Sequence, residues 1–281
     1  MEKSPLNYTG GRYKLLPQIL PIFPKKINTF VDLFCGGCNV GINVENVSKV
    51  IFNDNLTYLI DMYMAFKNRD VISHIENRIE EFNLTLTNTE GYNKLRDIYN
   101  SDSNDPLDLF VLIAYSFNHQ IRFNNSHKFN TSFGKDRSSF NNRMKNNLIK
   151  FLDIIKKDSF YFTNTDFNYF DFSMINKEDF VYCDPPYLIT TGSYNDGKRG
   201  FKGWTEIEEN QLLSKLDELN CRNIKFALSN VIEHKGKSND ILKSWIKSGD
   251  YEVHYMDINY ANSNYQTSDK GGSVEVLITN Y

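Results

Sequence analysis

The stretch Thr29-Phe30-Val31-Asp32-Leu33-Phe34-Cys35-Gly36-Gly37 decides the fold that the sequence predicts. Its first six residues are mostly apolar and β-prone, and they predict a buried strand. The glycines that follow allow the backbone to turn tightly and to approach a ligand closely. A strand that ends in such a turn is typical of nucleotide-binding α/β domains, which bind ligands at the carboxyl ends of their strands.

Six further short segments have the same apolar, β-prone character, and they lie at residues 49–52, 160–162, 180–183, 224–228, 252–256 and 274–278. A helical pattern occupies residues 205–219, where Thr205 and Glu208 have the spacing of a capping box and an apolar stripe follows. Short buried strands that alternate with helices indicate a parallel sheet. The sequence therefore predicts a doubly wound α/β domain.

Residues 59–157 differ from the segments on either side, because they are helical in pattern, polar and rich in asparagine. Asp105-Pro106 has the form of a helix start, and we expect that helix to run through residues 107–115. The sequence contains no internal repeat and no low-complexity linker. We therefore expect residues 1–58 and 158–281 to form one domain, interrupted by a mostly helical insertion at 59–157.

The insertion carries a local excess of positive charge, although the whole chain has a formal net charge of −3. Nine Lys or Arg residues and two acidic residues lie between His119 and Lys157, interleaved with phenylalanine and asparagine. This mixture suits phosphate contact, stacking and hydrogen bonding to base edges. A solvated, lysine-rich surface is the alternative interpretation. The loop from Gly192 to Trp204 is a second candidate nucleic-acid surface, through Lys198, Arg199 and Lys202.

Composition and cysteine spacing limit the class of protein. Hydrophobic residues make up 40% of the chain and charged residues 24%, as in soluble globular proteins. No apolar run approaches the roughly 20 residues that cross a bilayer, and the first residues lack a signal-peptide pattern, so we expect a cytoplasmic protein without a membrane partner. Cys35 and Cys38 have the spacing of a redox pair or of half a zinc site. Because no second close pair completes a zinc site, we interpret both as small structural residues of the turn.

Asp184-Pro185-Pro186-Tyr187 is the segment that indicates chemistry most directly. It follows a predicted strand, so its acid is expected at the carboxyl end of the sheet. The two prolines stiffen the chain and leave carbonyl oxygens without neighbouring donors. A carboxylate and a rigid carbonyl can accept both hydrogens of an amino group, and the tyrosine ring can stack on a base. Such a site directs the nitrogen lone pair at an electrophile without a covalent intermediate.

Asp54 is the third feature of the expected ligand site. It closes the second predicted strand, 17 residues after Gly37, which is close to the spacing at which an acid binds ribose hydroxyls. The full glycine pattern of nicotinamide-binding folds is absent, which counts against a dinucleotide oxidoreductase. The glycine turn and Asp54 together predict an adenosine pocket beside Asp184.

The chain resembles the Dam-type (D12 class, alpha group) site-specific DNA adenine methyltransferases of bacteria and phages. Tyr8-Thr9-Gly10-Gly11-Arg12, the turn from Asp32 to Gly37, and Asp184 to Tyr187 match that family's motifs in order. The resemblance extends over almost the whole chain and includes residues 105–107, 121–124, 129–135 and 226–230. It implies a Rossmann-like S-adenosylmethionine-dependent methyltransferase sheet with a mostly helical, inserted target-recognition domain at 59–157.

The resemblance also implies an activity and a set of site residues. A methyl group would pass from S-adenosylmethionine to the 6-amino group of an adenine flipped out of a short duplex site, by direct in-line transfer. The residues implied for catalysis are Asp184, Pro185, Pro186 and Tyr187. Those implied for the cofactor are Tyr8, Arg12, Asp32, Phe34, Gly36, Gly37, Asp54 and Asp184, with Asp166 and Phe167 at its adenine. Those implied for DNA are Phe117 and Asn118 near the target, Arg122 and Asn124 on a base-reading β-hairpin, and Lys135 and Arg137 at phosphates.

Two departures from the family pattern affect these expectations. Arg12 stands where the family has lysine, which keeps the charge and changes its geometry. Asn7 stands where some relatives read a guanine with lysine, so recognition of GATC does not follow. The family implies double-stranded DNA as partner, no metal and no obligatory oligomer, and it allows a cognate restriction endonuclease system.

Several other functions compete with this one. Cytosine N4 methylation uses the same amine chemistry, but serine commonly replaces the acid there. An RNA adenine methyltransferase would not need so large a basic insertion. A non-catalytic DNA-binding module would not need both Asp184 to Tyr187 and the cofactor turn.

Overall fold

The computed structural model describes residues 1–8, 10–190, 203–257 and 272–281. Its centre is an eight-stranded sheet with the strand order β3-β2-β1-β4-β5-β8-β7, in which β6 pairs with β5 off this path. The strands are β1 (Ile27–Asp32), β2 (Val47–Asn53), β3 (Phe160–Thr163), β4 (Phe180–Cys183), β5 (Lys225–His234), β6 (Lys237–Ser238), β7 (Glu252–Tyr255) and β8 (Val274–Thr279). The predicted α/β fold is confirmed.

The parallel half of the sheet creates a cleft at its centre. Strands β3, β2, β1, β4 and β5 all pair in parallel, whereas β8 and β7 pair antiparallel at one edge. The strand order reverses between β1 and β4, where Asp32 lies opposite Tyr182. Since the connections leave such a point in opposite directions, the chain opens a crevice beyond the carboxyl ends of these two strands.

Both faces of the sheet are covered, which explains why its central strands are continuous apolar runs. In β4, Phe180 and Tyr182 point into one core, while Val181 and Cys183 point into the other. The second core is closed by α7 (Glu206–Cys221) and α8 (Asp240–Ser248). The first core is closed by α1 (Leu16–Ile19) and by the helices that follow β2.

Those helices are α2 (Thr57–Asn68), α3 (Val71–Glu81), α4 (Thr89–Ile98), α5 (Pro106–Tyr115) and α6 (Asn142–Ile155). Every residue of α5 from Leu107 to Tyr115 is buried, including Asp108, whose carboxylate is bound by Arg78 and His74 of α3. Apolar side chains of these helices are continuous with the core beneath β1 and β2. The division of the chain at residues 59 and 157 stays a prediction.

The expected elements are present with shifted ends. Asp105 caps α5, and Thr205 and Glu208 form both hydrogen bonds of the predicted capping box at α7. Strand β5 continues six residues past the predicted end at Leu228, because β8 pairs with it as far as Glu233. This pairing joins distant parts of the chain, and the local pattern contains no sign of it. None of the helices within the described ranges is long and apolar enough to span a membrane.

Candidate functional site

A cavity of about 880 Å³ lies at the carboxyl ends of β1, β2 and β4. Its wall combines residues that follow these strands with the first turn of α7 and with part of the basic segment, which is the Lys- and Arg-rich stretch of residues 119–157. The sequence-predicted site residues that line it are Tyr8, Phe34, Gly36, Asp54, Asn118, Arg122, Arg137, Asp166, Phe167, Asp184 and Pro186. The structure therefore brings Asp184, Gly36 and Asp54 together around one space.

The glycine turn after β1 is fixed by hydrogen bonds on both sides. The amide of Gly36 donates to Oδ2 of Asp54 at 3.0 Å, and its carbonyl accepts from the Tyr63 hydroxyl at 2.7 Å. Gly36 has a φ of 45°, and a Cβ placed there would lie 2.7 Å from Cε1 of Tyr8. Only glycine satisfies both the backbone conformation and the close approach of the Tyr8 ring.

Three aromatic rings form one wall of the cavity. Phe34, Phe167 and Trp204 lie with their ring centroids 5.4 to 5.8 Å apart. The indole of Trp204 donates to Glu209 at 2.6 Å. Glu209 is buried in α7, and its other oxygen accepts from Asn230 and Asn239. Sequence reasoning missed Trp204, although an aromatic residue directly before a capping box was a usable signal.

Arg12 binds the Asp184 carboxylate with two donors. Its Nε donates to Oδ2 at 2.8 Å, and its Nη2 donates to Oδ1 at 2.7 Å. The hydroxyl of Tyr187 donates to Oδ1 at 2.8 Å. The remaining guanidinium nitrogen of Arg12, Nη1, donates to Oε2 of Glu275 in β8 at 2.5 Å. Glu275 was not among the predicted site residues.

These contacts shift the pKa of Asp184. Burial raises the pKa of Asp184, Arg12 lowers it through its charge and hydrogen bonds, and the charge of Glu275 raises it, with a net upward shift. Burial lowers the pKa of Arg12, but Asp184 raises it further, so the net shift is again upward. Arg12 is therefore a permanent positive charge against Asp184.

Pro186 lines the cavity beside Asp184, whereas the other two residues of this segment do not. Pro185 is buried, and the Tyr187 ring lies under the Arg12 guanidinium at 5.1 Å. The described residues that line the cavity do not include Arg12, Pro185 or Tyr187. Stacking of Tyr187 on a base stays a prediction.

Asp32 and Gly37 also lie behind the cavity wall. Asp32 is 2% exposed, and its Oδ2 accepts from the Gly41 amide at 3.2 Å. The pKa of Asp32 is raised to about 8 in total, because burial and the charges of Asp184 and Asp54 raise it more than the Gly41 hydrogen bond lowers it. A Cβ at Gly37 would lie 3.0 Å from Cβ of Tyr8. Their contact with a cofactor stays a prediction.

Replacing Asp32 by asparagine is expected to change how stability depends on pH. Between pH 3.8 and about 8 the folded protein keeps a proton on Asp32 that the unfolded chain releases. Stability from this group is complete below that window and is lost as pH rises through it, by about 1.4 kcal/mol per pH unit. Urea unfolding at two pH values inside the window measures the slope, and Asp32→Asn should be flatter than wild type. Equal slopes would show that Asp32 is ionised throughout.

The basic segment and the residues just before it also line the cavity. Asn118 and His119 both line it and have positive φ values of 55° and 53°. Two consecutive non-glycine residues in this region indicate a backbone held under strain. Phe117 is exposed, and Arg137 lies over its ring at 4.9 Å. The Asn7 side chain donates to the Asn118 carbonyl at 3.2 Å, which joins the amino-terminal segment to this wall.

The predicted hairpin around Arg122 is a short antiparallel ribbon. Phe123 pairs with Phe129, and both rings are buried, so the neighbouring Arg122 points outward. The side chain of Asn124 accepts from the Ser126 and Lys128 amides and so shapes the turn. Lys135 is exposed away from the cavity lining. Two other cations of the segment, Lys145 and Lys150, are paired with Glu76 and Glu2.

The second candidate nucleic-acid surface, with Lys198, Arg199 and Lys202, lies outside the described residues. Cys35 and Cys38 are free and buried, and burial raises the pKa of both thiols. Both therefore stay protonated and pack as small side chains in the turn.

Comparison with known proteins identifies similar chains. Residues 8–262 match the model of the D12 class N6 adenine-specific DNA methyltransferase family. Modification methylase StsI of Streptococcus sanguinis is 53% identical over 282 residues, which is 99% of this chain and 43% of that protein. Type II methyltransferase M.FokI of Planomicrobium okeanokoites is 50% identical with the same coverage. A DNA adenine methylase of Haemophilus influenzae is 28% identical over 65% of this chain and 63% of its own length. The chain spans less than half of the first two relatives.

Proposed function

Because the chain belongs to the D12 class of N6 adenine-specific DNA methyltransferases, we propose that it methylates the 6-amino group of adenine in a short duplex DNA site. The methyl donor in this proposal is S-adenosylmethionine. The observation that carries it is the half-buried, arginine-bound carboxylate of Asp184, which lines the same cavity as Gly36 and Asp54.

The chemistry follows from what the Asp184 segment presents. A carboxylate accepts a hydrogen of the target amine, and the stiff backbone of Pro185 and Pro186 offers a carbonyl for the other. Held in this way, the amine directs its lone pair away from both acceptors. Since the target atom is inaccessible inside a duplex, the adenine must leave the stack to reach Asp184.

The described residues fit the cofactor. Gly36 and Asp54 both line the cavity, and we assign Asp54 to the ribose hydroxyls. The rings of Phe34, Phe167 and Trp204 offer apolar faces for an adenine, beside Asp166. When bound, S-adenosylmethionine supplies an electrophilic methyl group. Tyr8, Asp54 and Asp166 would orient it, while the aromatic wall excludes water from its adenosine end.

Arg122, Arg137 and Asn118 support DNA as the second substrate, since they line the same cavity as Asp184. Guanidinium groups bind phosphates and guanine edges. One of the relatives is named a type II methyltransferase. We therefore extend the proposal to protection of DNA against a partner endonuclease. For this role we propose that the protein acts in the cytoplasm.

Methyl transfer from labelled S-adenosylmethionine to duplex DNA tests the proposal. Digestion of the product to nucleosides should yield labelled N6-methyldeoxyadenosine. Labelled N4-methylcytosine would establish the alternative amine target, and DNA binding without label transfer would establish a binding module.

Alanine at Gly36 is expected to weaken cofactor binding about tenfold, which corresponds to about 1.4 kcal/mol. The new Cβ would overlap the Tyr8 ring, so that the ring or the turn must move into the cavity. Gly236→Ala is the matched control, because Gly236 also has a positive φ, of 77°, but nothing lies within 4 Å of its added Cβ. Isothermal titration with S-adenosylmethionine compares the two variants. Equal affinities would place the cofactor away from this turn.

A further inference from the structure

The geometry points to Arg12 and Glu275 as positioning residues that leave Oδ2 of Asp184 as the acceptor for the target amine. This inference rests on the proposed function. It adds Glu275, a residue 263 positions from Arg12 in the chain, and it assigns different tasks to the two carboxylate oxygens of Asp184.

The hydrogen bonds to the carboxylate are unequal. Oδ1 accepts two of them, from Nη2 of Arg12 at 2.7 Å and from the Tyr187 hydroxyl at 2.8 Å. Oδ2 accepts one, from Nε of Arg12 at 2.8 Å, and the described residues supply no other donor to it. A carboxylate oxygen has about two lone-pair positions. Oδ1 is therefore saturated, and Oδ2 keeps one position for an incoming N–H.

Arg12 binds both oxygens of Asp184 because its planar guanidinium presents Nε and Nη2 as a two-donor fork. Nε and Nη2 are fixed relative to each other, so both bonds form only in one orientation of the carboxylate plane. The Tyr187 ring lies against the guanidinium at 5.1 Å and limits its tilt. A lysine at this position has one nitrogen and could not define the plane.

Glu275 binds the third nitrogen of the Arg12 guanidinium. It lies in β8, it is 6% exposed, and its Oε2 accepts from Nη1 of Arg12 at 2.5 Å. Its backbone is paired with Val231 of β5, and its carbonyl accepts from Met256 beside β7. The guanidinium is thus bound between a strand of the sheet and Asp184, and it cannot rotate without losing one partner.

The charges around Asp184 give the two positioning residues opposite effects on its pKa. Arg12 lowers the pKa of Asp184, and Glu275 raises it. The other titratable groups near Asp184 include Tyr182 and Cys183 of β4 and Asp32 of β1, and burial raises the pKa of all three. The Tyr187 hydroxyl also donates to Asp184. Since Asp184 acts as a carboxylate, activity should fall on the acid side as it takes up a proton.

Three variants test the inference by single-turnover methyl transfer over a range of pH. Arg12→Lys should lower kcat about tenfold or more with little change in KM for DNA, because the charge remains and the fork is lost. Arg12→Gln should also move the acid limb of the pH profile upward. Glu275→Gln should lower the plateau of kcat about fivefold and move the acid limb downward, because a negative charge near Asp184 is removed.

The double variant Arg12→Lys with Glu275→Gln separates positioning from general damage. If Glu275 acts through the fork, its substitution should cost less in the Arg12→Lys background than in wild type. Unchanged kcat in both single variants, an upward shift of the acid limb in Glu275→Gln, or additive losses would overturn the inference. Thermal unfolding of each variant corrects for the folded fraction. An inactive wild type would instead refute the proposed function.

Discussion

Asparagine in place of Asp184 is expected to reduce methyl transfer by about a thousandfold while DNA and cofactor still bind. The amide keeps the size of the carboxylate but has one acceptor oxygen, which the donors of Arg12 and Tyr187 would claim. Its NH₂ group would then face the target amine and repel it. Arg12 would remain paired with Glu275, so the variant should fold.

The matched control for this prediction is Asp171→Asn. Asp171 is exposed, and it caps a short helical turn by accepting a hydrogen bond from the Ser173 amide. It is not among the described residues that line the cavity. Single-turnover transfer of labelled methyl groups gives the rate, and fluorescence anisotropy gives DNA affinity. A rate for Asp184→Asn within tenfold of wild type would remove Asp184 from the chemistry. Loss of DNA binding in this variant would mean that the acid serves affinity.

Alanine at Arg122 is expected to relax sequence choice at one base pair by about 1–3 kcal/mol. Arg122 lines the cavity, and its neighbour Phe123 is buried against Phe129 and Tyr58, so Arg122 projects from the other face of the ribbon. A guanidinium can donate two hydrogen bonds to a guanine edge. The preference should therefore fall at a single position of the site.

Lys128→Ala in the same ribbon is the control for a phosphate contact. Lys128 is exposed and lies outside the cavity lining, so its loss should weaken binding to all sequences alike and lower the salt slope by about one. Sequencing methylated adenines from a randomised DNA pool shows the preference of each variant. Unchanged discrimination in Arg122→Ala would exclude it as a base reader.

The sequence predicted those parts of the site that follow directly from strands. Gly36, Asp54 and Asp184 each come just after a β-strand, and parallel strands bring their carboxyl ends to one edge. Local pattern also located the capping box at Thr205.

What the sequence could not predict depends on pairings between distant segments. Glu275 reaches Arg12 because β8 inserts between β5 and β7, and nothing near Glu275 in the chain indicates that register. The hydrogen bond from the Gly41 amide to the buried Asp32 side chain is likewise not indicated by the local sequence. The position of Trp204 depends on its hydrogen bond to Glu209. The helical pattern alone would place this acid on the solvent-exposed face of α7, but it is buried.

The bond between Asn7 and the Asn118 carbonyl has a consequence for how the two substrates influence each other. Asn7 holds the strained wall beside the basic segment, whereas the adjacent Tyr8 packs on Gly36. Under the proposed function, these two neighbouring residues would belong to the DNA side and the cofactor side of the cavity. A displacement of this segment by one ligand would then be transmitted across a single peptide unit to the other, and thermodynamic linkage would make the resulting cooperativity mutual.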